Sequence, residues 1–173
     1  MELSTAIRLL VKALPEKRTE QRWADLGAGS GLFSQALSTL LGDGSLIYAV
    51  DKKISSIATA NDSVTIQSMK GDFVRDALQP APFDGLLMAN SLHFVSDKQL
   101  FFEKLFRALK PEGSLLIVEY DTDVPNNWVP YPVSFDSLRK LVGPTGFGVP
   151  RRLETIPSLY NRASIYSAVM HIK

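Results

Sequence analysis

The stretch that decides the fold runs from Trp23 to Leu37, "WADLGAGSGLFSQAL". Three glycines, Gly27, Gly29 and Gly31, stand at alternate positions between a short apolar run and a segment of helical spacing. Glycines let the backbone turn tightly and bring its N–H groups, with the positive end of the following helix, against a ligand's polar atoms. In an open α/β sheet the ligand crevice lies beyond the carboxyl ends of the strands, at the point where the winding reverses. Asp25, two residues before the first glycine, would repel a pyrophosphate; it can accept from an ammonium group or hold the loop's own amides.

Outward from this loop, apolar runs alternate with helical periods. The strand candidates are Arg22 to Leu26, Ser45 to Val50, Val64 to Ser68, Phe83 to Ala89 and Ser114 to Glu119. Helices are expected near 31–41, 53–60 and 97–109, after an N-terminal helix over about 4–14 that Pro15 stops. Gly42 is placed to end a helix in the left-handed conformation, Ser96 with Gln99 has capping-box spacing, and Pro111, Glu112 and Gly113 make the turn into the fifth strand. Runs such as "LLIV" and "GLLMA" are apolar continuously instead of alternately, as a sheet covered by helices on both faces requires. Past Asp123, prolines 125, 130 and 132 mark a loop before a helix near 134–142, and "PRRLETIP" and "ASIYSAVMHI" form an antiparallel hairpin at the sheet edge. The expected architecture is a Rossmann-like, doubly wound α/β sheet of seven strands, mostly parallel, with an antiparallel C-terminal hairpin. One domain is expected over 1–173: an N-terminal helix in 1–15, a cofactor-binding half in 21–120, and a substrate-side loop, helix and hairpin in 121–173.

Composition narrows the classes of function. The chain has 173 residues, 45% of them hydrophobic, enough for a continuous core. With 19 basic and 18 acidic residues the net charge is +1, so no overall field draws in a polyanion. There is no cysteine, which closes disulfide, zinc-thiolate and thiol-nucleophile chemistry, and no metal site is expected. No apolar run approaches a membrane span, and the N-terminal stripe, interrupted by Arg8 and Lys12, lacks a cleavage site. The expectation is a cytoplasmic protein, monomer or homodimer, with no membrane partner and no strong sign of nucleic acid.

The motif of an acidic residue followed by Gly-x-Gly-x-Gly resembles the first motif of the class I S-adenosylmethionine-dependent methyltransferases, of the small-molecule and quinone type. The likeness continues in order along the chain. "YAVD" ends with Asp51, 24 residues after Gly27, where such enzymes carry the acid that grips both ribose hydroxyls; Lys52 follows it. "KGDF" places Gly71, Asp72 and Phe73 at the adenine, Asp72 accepting from its exocyclic amine and the Phe73 amide near the ring. "ANSLHFVSD" resembles the loop under the methionine portion, with Asn90 and Ser91 at the matching positions. The resemblance implies S-adenosylmethionine as cofactor, S-adenosylhomocysteine as product, and contacts from Asp25, Gly27, Ala28, Gly29, Ser30 and Gly31.

Methyl transfer needs a nucleophile held in line with an already activated carbon at about 3 to 3.5 Å, and little further apparatus. His93 is the candidate base. Tyr120, just beyond the fifth strand, and Trp128 and Tyr131, in the proline-rich segment overhanging the site, are candidates to enclose the acceptor. "ANSL" stands where methyltransferases of exocyclic or amide nitrogens carry Asn-Pro-Pro-Tyr or Asp-Pro-Pro-Tyr, and no Lys-Asp-Lys-Glu set of the ribose 2′-hydroxyl enzymes is present. These absences point to a small-molecule acceptor. The competing readings are a methyltransferase-like binding protein or subunit without turnover, an RNA or protein methyltransferase, and a nicotinamide-dependent oxidoreductase, whose third glycine would stand further on.

Overall fold

The computed structural model describes residues 1–14, 19–53, 56–158 and 163–173. Seven strands, β1 (Arg22–Leu26), β2 (Leu46–Asp51), β3 (Thr65–Lys70), β4 (Phe83–Ala89), β5 (Leu109–Tyr120), β6 (Arg151–Pro157) and β7 (Ser164–His171), lie in one sheet in the order β3-β2-β1-β4-β5-β7-β6. The first five run parallel, and β7 inserts antiparallel between β5 and β6. The winding therefore reverses between β1 and β4, and the glycine loop leaves β1 at that switch point.

Four helices cover the sheet: α1 (Leu3–Leu10), α2 (Leu32–Ser38), α3 (Lys98–Ala108) and α4 (Phe135–Leu141). Neighbouring strand residues divide between two apolar clusters. Leu86, Met88, Leu115 and Ile117 pack with Phe102, Leu105 and Leu138, whereas Leu87, Leu116 and Val118 pack with Leu9, Leu37 and the hairpin's Ile156. Alternate side chains of a strand face opposite ways, so the central runs of β4 (Leu86 to Met88) and β5 (Leu115 to Val118) are apolar at every position and feed both layers.

The second expected crossover helix does not form. Residues 56–59 are irregular, and residues 54 and 55 lie outside the described residues. The sequence here offers competing local bonds: Thr59 Oγ1 donates to the Asn61 carbonyl and accepts from its N–H, and Asn61 Oδ1 accepts from Ser63 N–H at 3.0 Å. Such side chains stabilise turns at the helix's expense. Edge strand β3 accordingly stays largely exposed, with its polar residues outward.

Several boundaries also differ. Asp97, not Ser96, caps α3, accepting from Leu100 N–H at 3.0 Å. Gly42 does not take the left-handed conformation; Gly44 does, at φ 81°. Gly42 is instead packed so closely that a Cβ would lie 2.6 Å from the Thr19 carbonyl oxygen. The Pro111–Gly113 turn sits inside β5 as a bulge, the register against β4 jumping from Phe83↔Leu109 to Gly85↔Ser114. The N-terminal helix closes at Leu10 and continues as a 3-10 turn over Val11–Ala13, while Pro15 lies outside the described residues.

Candidate functional site

Gly27 and Ala28 donate their N–H groups to the Val50 carbonyl at 2.8 and 3.1 Å, which carries the loop from β1 across the end of β2. There the Asp51 carboxylate accepts from Gly29 N–H and from Lys53 N–H, both at 2.9 Å. The two places singled out from the sequence are thus in direct contact. Two backbone donors leave part of a carboxylate's acceptor capacity unused. Gly29 has φ +54°, and no heavy atom of the described residues lies within 4 Å of where its Cβ would be. The loop presents open space at this position.

Gly27 has a different reason to be glycine. A Cβ there would meet Ser91 Cβ at 2.6 Å, so the residue admits the β4 loop instead of a ligand. Ser91 is buried and donates its hydroxyl to the Leu26 carbonyl at 2.6 Å, tying the two loops together. Beside it Asn90 takes φ 52°, and its buried Oδ1 has no hydrogen-bond partner. Asparagine takes the left-handed region more readily than most residues, and here it leaves a buried acceptor free at the edge of the glycine loop.

A cavity of about 510 Å³ opens against this edge of the sheet. Gly27 to Ser30 form its floor, Asn90 and Tyr120 lie on its wall, and the first turns of α1 with Ile156 and Ile165 of the hairpin close the far side. Ala28 and Gly29 also line a second hollow, shared with Asp51 and Lys53. Gly71, Asp72 and Phe73 border a third, smaller recess of about 90 Å³. Asp72 pairs with Lys52 at 3.2 Å and caps a single turn by accepting from Val74 N–H at 3.1 Å.

Three expectations are corrected. Asp25 is buried and lies behind the loop, not on the cavity wall. Its Oδ2 accepts from Ser34 Oγ at 2.6 Å, pinning α2 to β1, while Oδ1 has no partner. Burial above all, with added repulsion from Asp51, raises its pKa from 3.8 to about 6, the Ser34 hydrogen bond opposing the rise. His93 is also buried, with Nδ1 2.9 Å from Glu119 Oε2. An ionised carboxylate only accepts, so Nδ1 is the donor. Glu119 further accepts from His93 N–H and Tyr120 N–H, each at 3.2 Å. The ring is outside the cavity lining, which places it as a brace between the β4 loop and β5. Trp128 and Tyr131, 85% and 48% exposed, face solvent and do not line the cavity. The N-terminal helix and the hairpin form the wall in their place. The hairpin was expected on the substrate side within 121–173, but its apolar residues Ile156 and Ile165 carried a packing signal only, so the sequence did not single them out.

A larger cleft, about 570 Å³, lies at the opposite end of the sheet around Trp23, Asp84 and Lys110. It holds none of the candidate site residues. Among the described residues no cluster of potential metal ligands occurs, and no helix is long and apolar enough to cross a membrane.

A family model described as "Methyltransferase domain" matches residues 24–117. The chain belongs to that methyltransferase domain family. Among its relatives is the ubiquinone/menaquinone biosynthesis C-methyltransferase UbiE of Vibrio parahaemolyticus, 29% identical over 133 residues, which cover 72% of this chain and 51% of the relative. That of Haemophilus ducreyi is 27% identical over 135 residues, covering 73% and 52%. The chain spans about half the length of these relatives. Solved structures share the fold at low identity. The YcgJ protein of Bacillus subtilis has a TM-score of 0.69 at 15% identity, with 98% of each chain covered. A Burkholderia thailandensis 1,6-didemethyltoxoflavin-N1-methyltransferase, solved with 1,6-didemethyltoxoflavin and S-adenosylhomocysteine, has 0.73 at 17%, covering 99% of this chain and 78% of that one.

Proposed function

We propose that the protein is an S-adenosylmethionine-dependent methyltransferase acting on a small-molecule acceptor. The observation that carries this reading is the contact of Asp51 with Gly29 N–H across a loop that opens on empty space. The residues fit the cofactor. A carboxylate with spare lone pairs suits a cis-diol, glycine amides suit polar atoms laid along the loop, and the unpaired Asn90 Oδ1 awaits a donor. Asp51 would hold the ribose, Gly27 to Ser30 the backbone-facing edge, and Asn90 the amino-acid end. Asp72 and Phe73 border the recess for the base. When bound, the cofactor supplies a sulfonium methyl group open to in-line attack.

The chain's own task is to orient the acceptor and exclude water from it. Tyr120 stands on the cavity wall, fixed through its N–H by Glu119. The names of the UbiE relatives support carbon as the acceptor atom and a small molecule as its carrier. Incubating the protein with methyl-labelled S-adenosylmethionine and a panel of phenols, amines and hydroquinones tests the reading. Label in one acceptor with equal release of S-adenosylhomocysteine is the expected result. Tight cofactor binding with no transfer to any member would make this a binding protein instead.

A further inference from the structure

We infer that Lys104 of α3 is a positioning residue for recognition of the nucleoside base: its ammonium fixes the backbone of the turn over residues 72–76 and so aims the Asp72 carboxylate and the Phe73 N–H at one edge of that base. The inference rests on the cofactor reading above. Most of the turn's N–H groups are satisfied within it. Arg75 and Asp76 N–H donate to the Asp72 carbonyl at 3.0 and 2.8 Å, Val74 N–H to Asp72 Oδ1 at 3.1 Å, and Asp72 N–H to Asp76 Oδ2 at 2.7 Å. A single turn has no following turn to use the carbonyls of Phe73, Val74 and Asp76. Lys104 Nζ serves all three, donating to Phe73 at 2.8 Å, to Val74 at 3.1 Å and to the Asp76 carbonyl as well. An ammonium has three donors and no acceptor, so this one is spent wholly on main chain. Phe101, one helical turn earlier, sets its ring edge-on to that of Phe73 with centroids 6.0 Å apart, and the same face of α3 thus holds the turn by packing and by hydrogen bonds.

One donor is left over. The Phe73 N–H has no acceptor among the described residues, and with Asp72 it borders the smaller recess. Asp72 accepts from Val74 N–H and from the exposed Lys52 ammonium, which uses only part of its capacity. An acceptor position beside a free donor matches a base edge that carries an amine next to a ring nitrogen. A base with an oxo group in the amine's place turns an acceptor toward the carboxylate and an N–H toward the Phe73 N–H, and loses on both counts. Discrimination of this kind requires the two groups to be held in fixed relation. Lys104 supplies that hold, because it grips the chain at residues 73, 74 and 76 through the carbonyls that the turn's own bonds leave unused.

The absence of native cysteine allows the ammonium to be removed and then restored. Lys104→Cys is alkylated with bromoethylamine, which rebuilds an ammonium at the length of lysine, or with iodopropane, which gives the same length without charge or donor; urea unfolding confirms that each form is folded. Lys98→Cys is the control, since its parent lysine donates to the Val95 and Tyr131 carbonyls, away from the recess. Calorimetry then compares S-adenosylhomocysteine with its analogue bearing an oxo group in place of the exocyclic amine. The parent should prefer the amine by about tenfold or more, and the propyl form at 104 by about threefold or less. The aminoethyl form at 104 should recover the preference, and both Lys98 forms should keep it. A preference that survives in the propyl form, an equal fall in affinity for both nucleosides, a loss that the restored ammonium does not reverse, or the same loss at Lys98 would each overturn the inference. So would a parent that binds the two nucleosides alike. A parent that binds neither would refute the cofactor reading itself and the inference with it.

Discussion

Two carboxylates stand near the ends of strands on either side of the glycine loop, and both hold backbone N–H groups. Glu119 on β5 is fully buried and takes three donors from His93 and Tyr120, whereas Asp51 on β2 is half-buried and, among the described residues, takes two, one of them from Gly29 of the cavity floor. The same chemistry does different work in the two places. A buried carboxylate whose lone pairs are consumed by its own chain braces the fold, whereas one that is half-buried with acceptor capacity left is available to a ligand, the role proposed for Asp51.

Removing the buried member should have the largest effect on folding. Glu119→Ala leaves the His93 ring and two N–H groups without their acceptor, and should lower stability by about 3 to 5 kcal/mol in urea unfolding. Glu119→Gln, which keeps an acceptor, should cost less than half of that. Equal losses would mean that packing, not the accepted hydrogen bonds, holds the loop.

Asp25 sharpens the contrast from a third position. Its folded pKa, about 6, lies above the ordinary 3.8, so the folded state binds the proton more tightly than the unfolded one. Its contribution is therefore fully present below pH 3.8 and is lost as the pH rises to about 6. That span corresponds to about 3 kcal/mol. Comparing Asp25→Asn with the parent protein isolates it: the variant should gain on the parent by about that amount between pH 4 and 7. A constant difference would show that Asp25 is not pushed upward by burial.

Gly29→Ala should cost about 1 to 2 kcal/mol for placing an L residue at positive φ, and should also weaken cofactor binding, because its methyl group enters the open space. Trp128→Ala should change stability by less than about 0.5 kcal/mol and leave S-adenosylhomocysteine affinity unaltered. A loss of affinity would return the proline-rich segment to the site.

The sheet was legible because the central runs of β4 and β5, Leu86 to Met88 and Leu115 to Val118, are apolar at every position, and the switch point because three glycines follow an apolar run directly. Asp51 was legible through its spacing from Gly27. The helix over 53–60 misled because its length and period fit, while Thr59 and Asn61 spend their side chains on turns. Asp25 and His93 misled for another reason: a polar residue beside a motif reads alike whether it faces a ligand or braces the chain. The hairpin was expected on the substrate side, but which residues of the wall meet there, Glu2 and Thr5 with Ile156 and Ile165, was not legible, since the wall exists only once residues more than 150 apart in sequence are brought together.

The central claim is that Asp51 and the glycine amides together bind S-adenosylmethionine. Thermal unfolding of the parent protein and of Asp51→Ala, with S-adenosylhomocysteine at a hundredfold excess over its parent dissociation constant, tests it most directly. The parent should gain about 2.7 kcal/mol and the variant most of that less, with NAD stabilising neither. An undiminished gain in Asp51→Ala, or stabilisation by NAD in place of the sulfur nucleoside, would contradict it.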